Sequence, residues 1–283
     1  MQLFSVGRMP LLKPYQSTMN SANMADNITH ILNSSGYENY SDIKRLKFIL
    51  TSLAKNVATN ATVLDVGCGN GLISMSMGKA GYKVYGIDIS DKAIEKANAK
   101  NTLPNVKFDV VSAEEFAGSH TQYDAVVCSE VLEHLHDPGQ LLKVLHRSLK
   151  DNGILIVTVP NGKGLRESLI TKPVIALQKK NNWQWRALQK FKSALGYKGT
   201  TLQSDADDLT HVQFFTRKKL NELAAENNFS IINFGKTNFV ENVFPFSFFA
   251  NRIKILQKID CAVAEWLPYS FTGAFVTVWQ KAK

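Results

Sequence analysis

Residues 61–72 read A-T-V-L-D-V-G-C-G-N-G-L, placing Asp65, Gly67, Gly69 and Gly71 at alternate positions. Glycines so spaced let a backbone turn tightly and leave no Cβ between it and a ligand. A carboxylate just ahead of them would repel a pyrophosphate but suits a cation. A dinucleotide loop wants G-x-G-x-x-G; here the last glycine comes one residue early, and Leu72 stands where the third would be. Asp88, closing the apolar run 84–87, lies about where an acid meets a pair of ribose hydroxyls. Glu130, Glu133 and His134 stand at i, i+3 and i+4 and project from one face if the turn that carries them is helical.

The elements that must position these groups are legible around them. Val63, Leu64 and Val66 make a buried strand, and 72–80 reads as a helix with Leu72, Ile73 and Met77 inward. The glycine loop therefore feeds a helix N-terminus. Ser90 caps a helix running to about Lys100, and 106–111 alternates as a third strand. Residues 123–128 form a fourth strand. Asp137 then Pro138 start a helix that buries Leu141, Leu142, Leu145 and Leu149, with Asn152-Gly153 breaking it before the strand 154–159. Thr216 caps a helix with Leu220, Leu223 and Ala224 inward, 230–237 is a sixth strand, and 274–280 a last one. Strands alternating with helices predict an α/β, doubly wound sheet.

The D-x-G-x-G-x-G string resembles the first motif of class I SAM-dependent methyltransferases (SAM, S-adenosylmethionine), whose donor carries a sulfonium and an ammonium. The resemblance covers roughly 42–160 and 209–283, and implies a seven-stranded, mostly parallel sheet of the Rossmann-like methyltransferase fold, its last strand antiparallel to the sixth. It makes Asp65, Gly67, Gly69 and Gly71 the cofactor loop, and Asp88, with Ile89 beside it, the ribose site. Ala113 and Glu114 fall beside the adenine, and the backbone near Cys128 and Ser129 flanks the methionine part. Arg45, on the polar side of a helix at 42–54, is either a cation for the cofactor carboxylate or a solvated charge.

Methyl transfer is an in-line displacement for which the protein mainly holds donor and acceptor in contact. A neutral hydroxyl acceptor also needs its proton removed, by a base or by a metal. The string E-x-x-E-H at 130–134 resembles the metal-binding string of the quinone-pathway O-methyltransferases and of the small-RNA 2′-O-methyltransferases. In the RNA group a later histidine completes the set, which here points to His211. Glu130, Glu133, His134 and His211 would suit Mg²⁺ or a similar divalent cation. Without a metal, His134 or His211 serves as base with Glu130 near it, or these groups only cap turns. His136 is expected at the surface.

Four segments follow: a flexible leader at 1–41, a SAM-binding core at 42–160, a basic helical insertion or lid at 161–208, and 209–283 completing the core. The last contains a second, aromatic-rich helical insertion at 240–270, where Ile253, Leu256, Ile259 and Val263 make a helical stripe. Of the net charge of +9, nearly all falls in 161–200, where nine lysines and arginines meet only Glu167. Trp183, Trp185, Leu188, Phe191 and Leu195 lie among them, and 163–198 suits an anionic membrane surface as well as a lid with a solvated basic face. Three scattered cysteines, Cys68, Cys128 and Cys261, make neither a metal pattern nor a disulfide framework. With no secretory signal read at the N-terminus, the expectation is a cytoplasmic protein, peripheral at the inner face of a membrane. The acceptor expected is a hydroxyl on a bulky apolar, lipid-linked or glycan molecule. RNA 2′-O-methylation and a non-catalytic, membrane-docked SAM-binding protein are the alternatives. The basic stretch has no RNA-binding module and runs into the acidic turn 204–208, so nucleic acid is not the expected partner.

Overall fold

The computed structural model describes residues 21–116, 121–164, 212–240 and 253–282, with the side chains of 21–23 and 113–114 outside that description. In chain order the described elements are α1 (Ser21–Asn33), α2 (Tyr40–Asn56), β1 (Thr62–Val66), α3 (Leu72–Lys79), β2 (Lys83–Asp88) and α4 (Asp91–Lys100). There follow β3 (Val106–Val110), α5 (Ala113–Phe116), β4 (Tyr123–Ser129), α6 (Pro138–Ser148), β5 (Leu149–Pro160), α7 (Arg217–Glu226), β6 (Phe229–Lys236), α8 (Lys254–Trp266) and β7 (Ala274–Lys281). The strands form one seven-stranded sheet in the order β3-β2-β1-β4-β5-β7-β6. β1 to β5 pair parallel with their neighbours, and β7 runs antiparallel between β5 and β6. This is the expected doubly wound fold.

Alternate residues of the central strands feed two cores, as the two-residue strand period requires. Val63, Val127 and Ile156 join Leu46, Ile49 and Leu53 of α2, Ile73 and Met77 of α3, and Ile94 of α4. On the other face Leu64, Val126 and Leu155 join Leu142 and Leu145 of α6, Leu220 of α7 and Trp279 of β7. The helix starts follow the expected caps. Ser90 accepts the Ala93 N–H, Asp137 that of Gly139 and Thr216 that of Lys219.

Two expectations are corrected. The leader contains a helix: α1 places Ile28 and Ile31 in the α2 core, because apolar residues at helical spacing hide among its Asn and Ser. Leu149 opens β5 instead of closing α6, pairing with Tyr123. The Asn152-Gly153 pair lies within β5, where the register against β4 shifts from Tyr123↔Leu149 to Ala125↔Ile154. The stripe expected on the aromatic-rich insertion is helical, and it faces outward: Ile253, Ile259 and Val263 are exposed. The basic and aromatic residues at 165–211 and 241–252 lie outside the described residues.

Candidate active site

β1 and β4 are parallel neighbours whose connections leave in opposite directions, which opens a crevice at their C-terminal ends. The glycine loop lines it. Gly67, Gly69 and Gly71 all take left-handed φ, at 69°, 55° and 78°, a region that costs a residue with a Cβ. Space forbids a side chain too: a Cβ on Gly67 would lie 2.4 Å from Val131 Cγ2, and one on Gly71 2.5 Å from Phe108 Cζ. The Gly67 and Cys68 amides donate to the Ile87 carbonyl at 2.8 and 3.0 Å, stitching the loop to the end of β2.

Asp88 completes that stitch. Its Oδ2 accepts the Gly69 N–H at 2.8 Å and its Oδ1 the Ser90 N–H at 2.9 Å. A carboxylate oxygen can accept more than one hydrogen bond, so both still suit the hydroxyls of a ribose. Beside it the Ile89 side chain is 72% exposed, an apolar surface suited to a flat ring. Residues with no Cβ, an acid able to take a diol and a helix N-terminus behind them fit SAM.

Asp65, the carboxylate expected to suit a cation, ends up beneath the loop. It is buried, and its Oδ2 accepts the Ser74 hydroxyl from α3. Burial pushes its pKa up to about 7, Ser74 opposing and Asp88 adding to the rise. Cys68 packs beneath the loop, and Cys128 is fully buried in β4; burial pushes both thiols up, so neither offers a thiolate. Ala113 and Glu114 open α5, just after Ser112. Ser112 and Glu115 make a capping box there, each side chain accepting the other's backbone N–H.

At the end of β4 the chain turns sharply. Glu130 takes φ 58°, and only Leu132–His134 form a short 3-10 turn. Glu130 therefore does not share a helical face with Glu133 and His134. It is drawn into a polar network that sequence reasoning missed: Ser129 Oγ meets Thr158 Oγ1 at 2.9 Å, which donates to Glu130 Oε1 at 2.9 Å. Arg45 closes it, 3.3 Å from Glu130 and 2.7 Å from Asp42. Burial alone would lower the Arg45 pKa, but Glu130 and then Asp42 outweigh it and hold the guanidinium charged. Arg45 is thus neither solvated nor unpaired. Asp42, one helical turn before it, was the only sign of the network in the sequence.

Glu133 is buried, and its carbonyl accepts the Val212 and Gln213 amides at 2.8 and 2.9 Å. Its carboxylate lies 3.8 Å from His134 Nε2, and the His134 side chain is 19% exposed. With Glu130 turned to Arg45, no group of three or more His, Cys, Asp or Glu among the described residues could hold a metal ion, so Glu130, Glu133 and His134 do not by themselves make the expected set. His211 lies outside the described residues, and His136 is exposed as expected. Asn161 organises the end of β5. Its amide donates to the carbonyls of Tyr269 and Thr272, each at 2.8 Å, and Phe215 bridges to it in a parallel register. The chain thus leaves after Gly164 and returns at Val212 beside the crevice.

A family model described as a methyltransferase domain matches residues 25–233, most of the chain. This chain belongs to the SAM-dependent methyltransferases. Among curated proteins it resembles a ubiquinone biosynthesis O-methyltransferase of Hydrogenovibrio crunogenus, 37% identical over 105 residues, 36% of this chain and 44% of that protein. A protein of the same name from Xanthomonas oryzae is 39% identical over 104 residues, 36% of this chain and 44% of that one. The chain thus spans under half the length of the curated relatives it matches. A SAM-dependent methyltransferase of Methanosarcina mazei shares the fold at TM-score 0.52 and 20% identity, covering 82% of this chain and 97% of that one. Among the described residues of this methyltransferase no helix is long and apolar enough to cross a membrane.

Proposed function

We propose that this chain methylates a hydroxyl on a bulky, partly apolar acceptor, of quinone-type phenol or lipid-linked character, with His134 as the base. The observation that carries it is the part-buried His134 imidazole, on the turn that follows the C-terminal end of β4 and 3.8 Å from the buried Glu133 carboxylate. Relatives of similar sequence being named O-methyltransferases supports oxygen as the acceptor atom.

SAM, when bound, supplies an activated methyl group on a sulfonium. The chain's own residues do the rest. Gly67, Gly69 and Gly71 admit the donor close to the backbone, and Asp88 offers two oxygens to its ribose. Glu133, fixed by the returning chain at Val212 and Gln213, stabilises the imidazolium formed when His134 takes the acceptor's proton. The network from Arg45 through Glu130 and Thr158 to Ser129 keeps the end of β4 rigid, where alignment of the reacting atoms is decided.

Labelled methyl transfer to a catechol-type phenol bearing an apolar tail tests this. His134→Ala is expected to lower kcat by about 10²–10⁴-fold with SAM affinity unchanged. Full turnover in that variant would remove the imidazole from the chemistry.

A further inference from the structure

α8 is built inside out. In a helix lying on a globular protein the apolar stripe faces the core. Here the buried face is Gln257, Asp260, Cys261 and Ala264, while Ile255, Ile259, Val263 and Trp266 look outward at 59%, 52%, 41% and 91% exposure. These four fall at i, i+4, i+8 and i+11, one continuous stripe on a helix of 13 residues. Phe271, 47% exposed, follows the helix closely in the chain.

Polar bonds hold this orientation. Gln257 Oε1 accepts the Tyr40 N–H at 2.8 Å, and the Asp260 carboxylate accepts the Phe239 and Val240 amides at 2.9 and 2.8 Å. Lys44 of α2 reaches under the helix, donating to the carbonyls of Thr237 and Cys261 and pairing with Glu265. Turning the stripe inward would strand the buried Gln257 and Asp260 and break the Lys44 contacts, so the outward stripe is fixed by the fold.

We propose that α8 is a membrane-docking helix that lies in the headgroup region of an anionic bilayer. Its charges favour lipid over a second copy of the chain. Exposed Lys254 and Lys258 flank one edge of the stripe, Lys258 lying 5.9 Å from the Tyr40 ring, and Trp266 stands at its end. The acids Asp260 and Glu265 are tied to the protein by the bonds just described. Apolar face, flanking lysines and terminal tryptophan are what an interfacial helix requires. The sequence extends the pattern, since 242–251 carries four phenylalanines and no charge. At 13 residues α8 lies on the membrane and does not span it. Docking here deepens the proposed function, on which its purpose rests: Lys44 fastens α8 while the next residue, Arg45, pairs with Glu130 at the crevice.

Co-sedimentation of the full chain with sucrose-loaded vesicles tests this, comparing phosphatidylcholine alone with phosphatidylcholine containing about one-third phosphatidylglycerol. The wild type is expected to bind the anionic vesicles, and Ile255→Ser/Ile259→Ser/Trp266→Ser to bind about tenfold more weakly or worse. Lys254→Glu/Lys258→Glu is expected to weaken binding several-fold and to flatten its salt dependence. Undiminished partitioning by the triple variant overturns the proposal. So does a wild type that ignores vesicles but sediments as a dimer which the triple variant dissolves, for then the stripe joins two copies. SAM binding by calorimetry on the same proteins reports the fold and the active site separately, so loss of one function is not mistaken for loss of the other.

Discussion

Asp88 Oδ2 accepts the backbone N–H of Gly69 at 2.8 Å, so the acid that ends β2 holds the loop that follows β1. Loop shape and, under the proposed function, ribose binding therefore rest on one side chain. Asp88→Ala is expected to raise the SAM dissociation constant about 10²-fold and to lower unfolding stability by about 2 kcal/mol. Calorimetry and urea denaturation check the two effects, and unaltered affinity in this variant would place the ribose elsewhere.

Asp65 gives the stability a pH dependence of unusual sign for a carboxylate. Its folded-state pKa of about 7 lies above the ordinary 3.8 because of burial. The folded protein therefore holds this proton more tightly than the unfolded chain, and the Asp65 contribution falls as pH rises from about 4 through about 7. Asp65→Asn keeps an acceptor for Ser74 and removes the ionisation. Its stability relative to wild type is expected to be greater at pH 8 than at pH 5, by on the order of 2–4 kcal/mol. Urea unfolding of both proteins at the two pH values measures it; a pH-independent difference would show that Asp65 stays ionised throughout. Loss of SAM affinity in the same variant would report the field of this carboxylate at the donor.

The Arg45–Glu130 pair predicts a non-additive response. Arg45→Met leaves Glu130 with Thr158 and no cation, an expected loss of about 3 kcal/mol. Glu130→Gln in that background is expected to recover part of the loss. A double-mutant cycle by chemical denaturation reads the coupling directly, and strict additivity would mean the pair is incidental to stability.

Phe108 fills the space that two missing side chains leave. A Cβ on Gly86 would come within 2.6 Å of Phe108 Cδ1 and 3.1 Å of Cys68 Sγ. Gly86 needs no left-handed φ, so Gly86→Ala tests packing alone. An expected cost of about 1–3 kcal/mol should be partly relieved by Phe108→Leu. Gly71→Ala adds backbone strain to the same clash and is not expected to be rescued.

The glycine loop was legible in the sequence because left-handed backbone and close approach can be met by so few residues. The doubly wound sheet followed from alternating elements, and its antiparallel last strand from the resemblance. The outward turn of α8 was not legible, since a stripe shows that one helix face is apolar and says nothing of which way it points. Gln257 and Asp260 decide that through partners distant in the chain. The E-x-x-E-H spacing misled for a related reason. Its one-sided arrangement presumes a helix, and the left-handed φ of Glu130 with a short 3-10 turn sends the first carboxylate to Arg45.

β6 touches the sheet only through β7, a strand that follows it in the chain. During synthesis β6 thus emerges before its one partner, and β5 waits with a bare row of amides and carbonyls along its flank. Until β7 slides between them and buries Trp279, the nascent chain offers neighbours on a polysome a ready template for strand exchange.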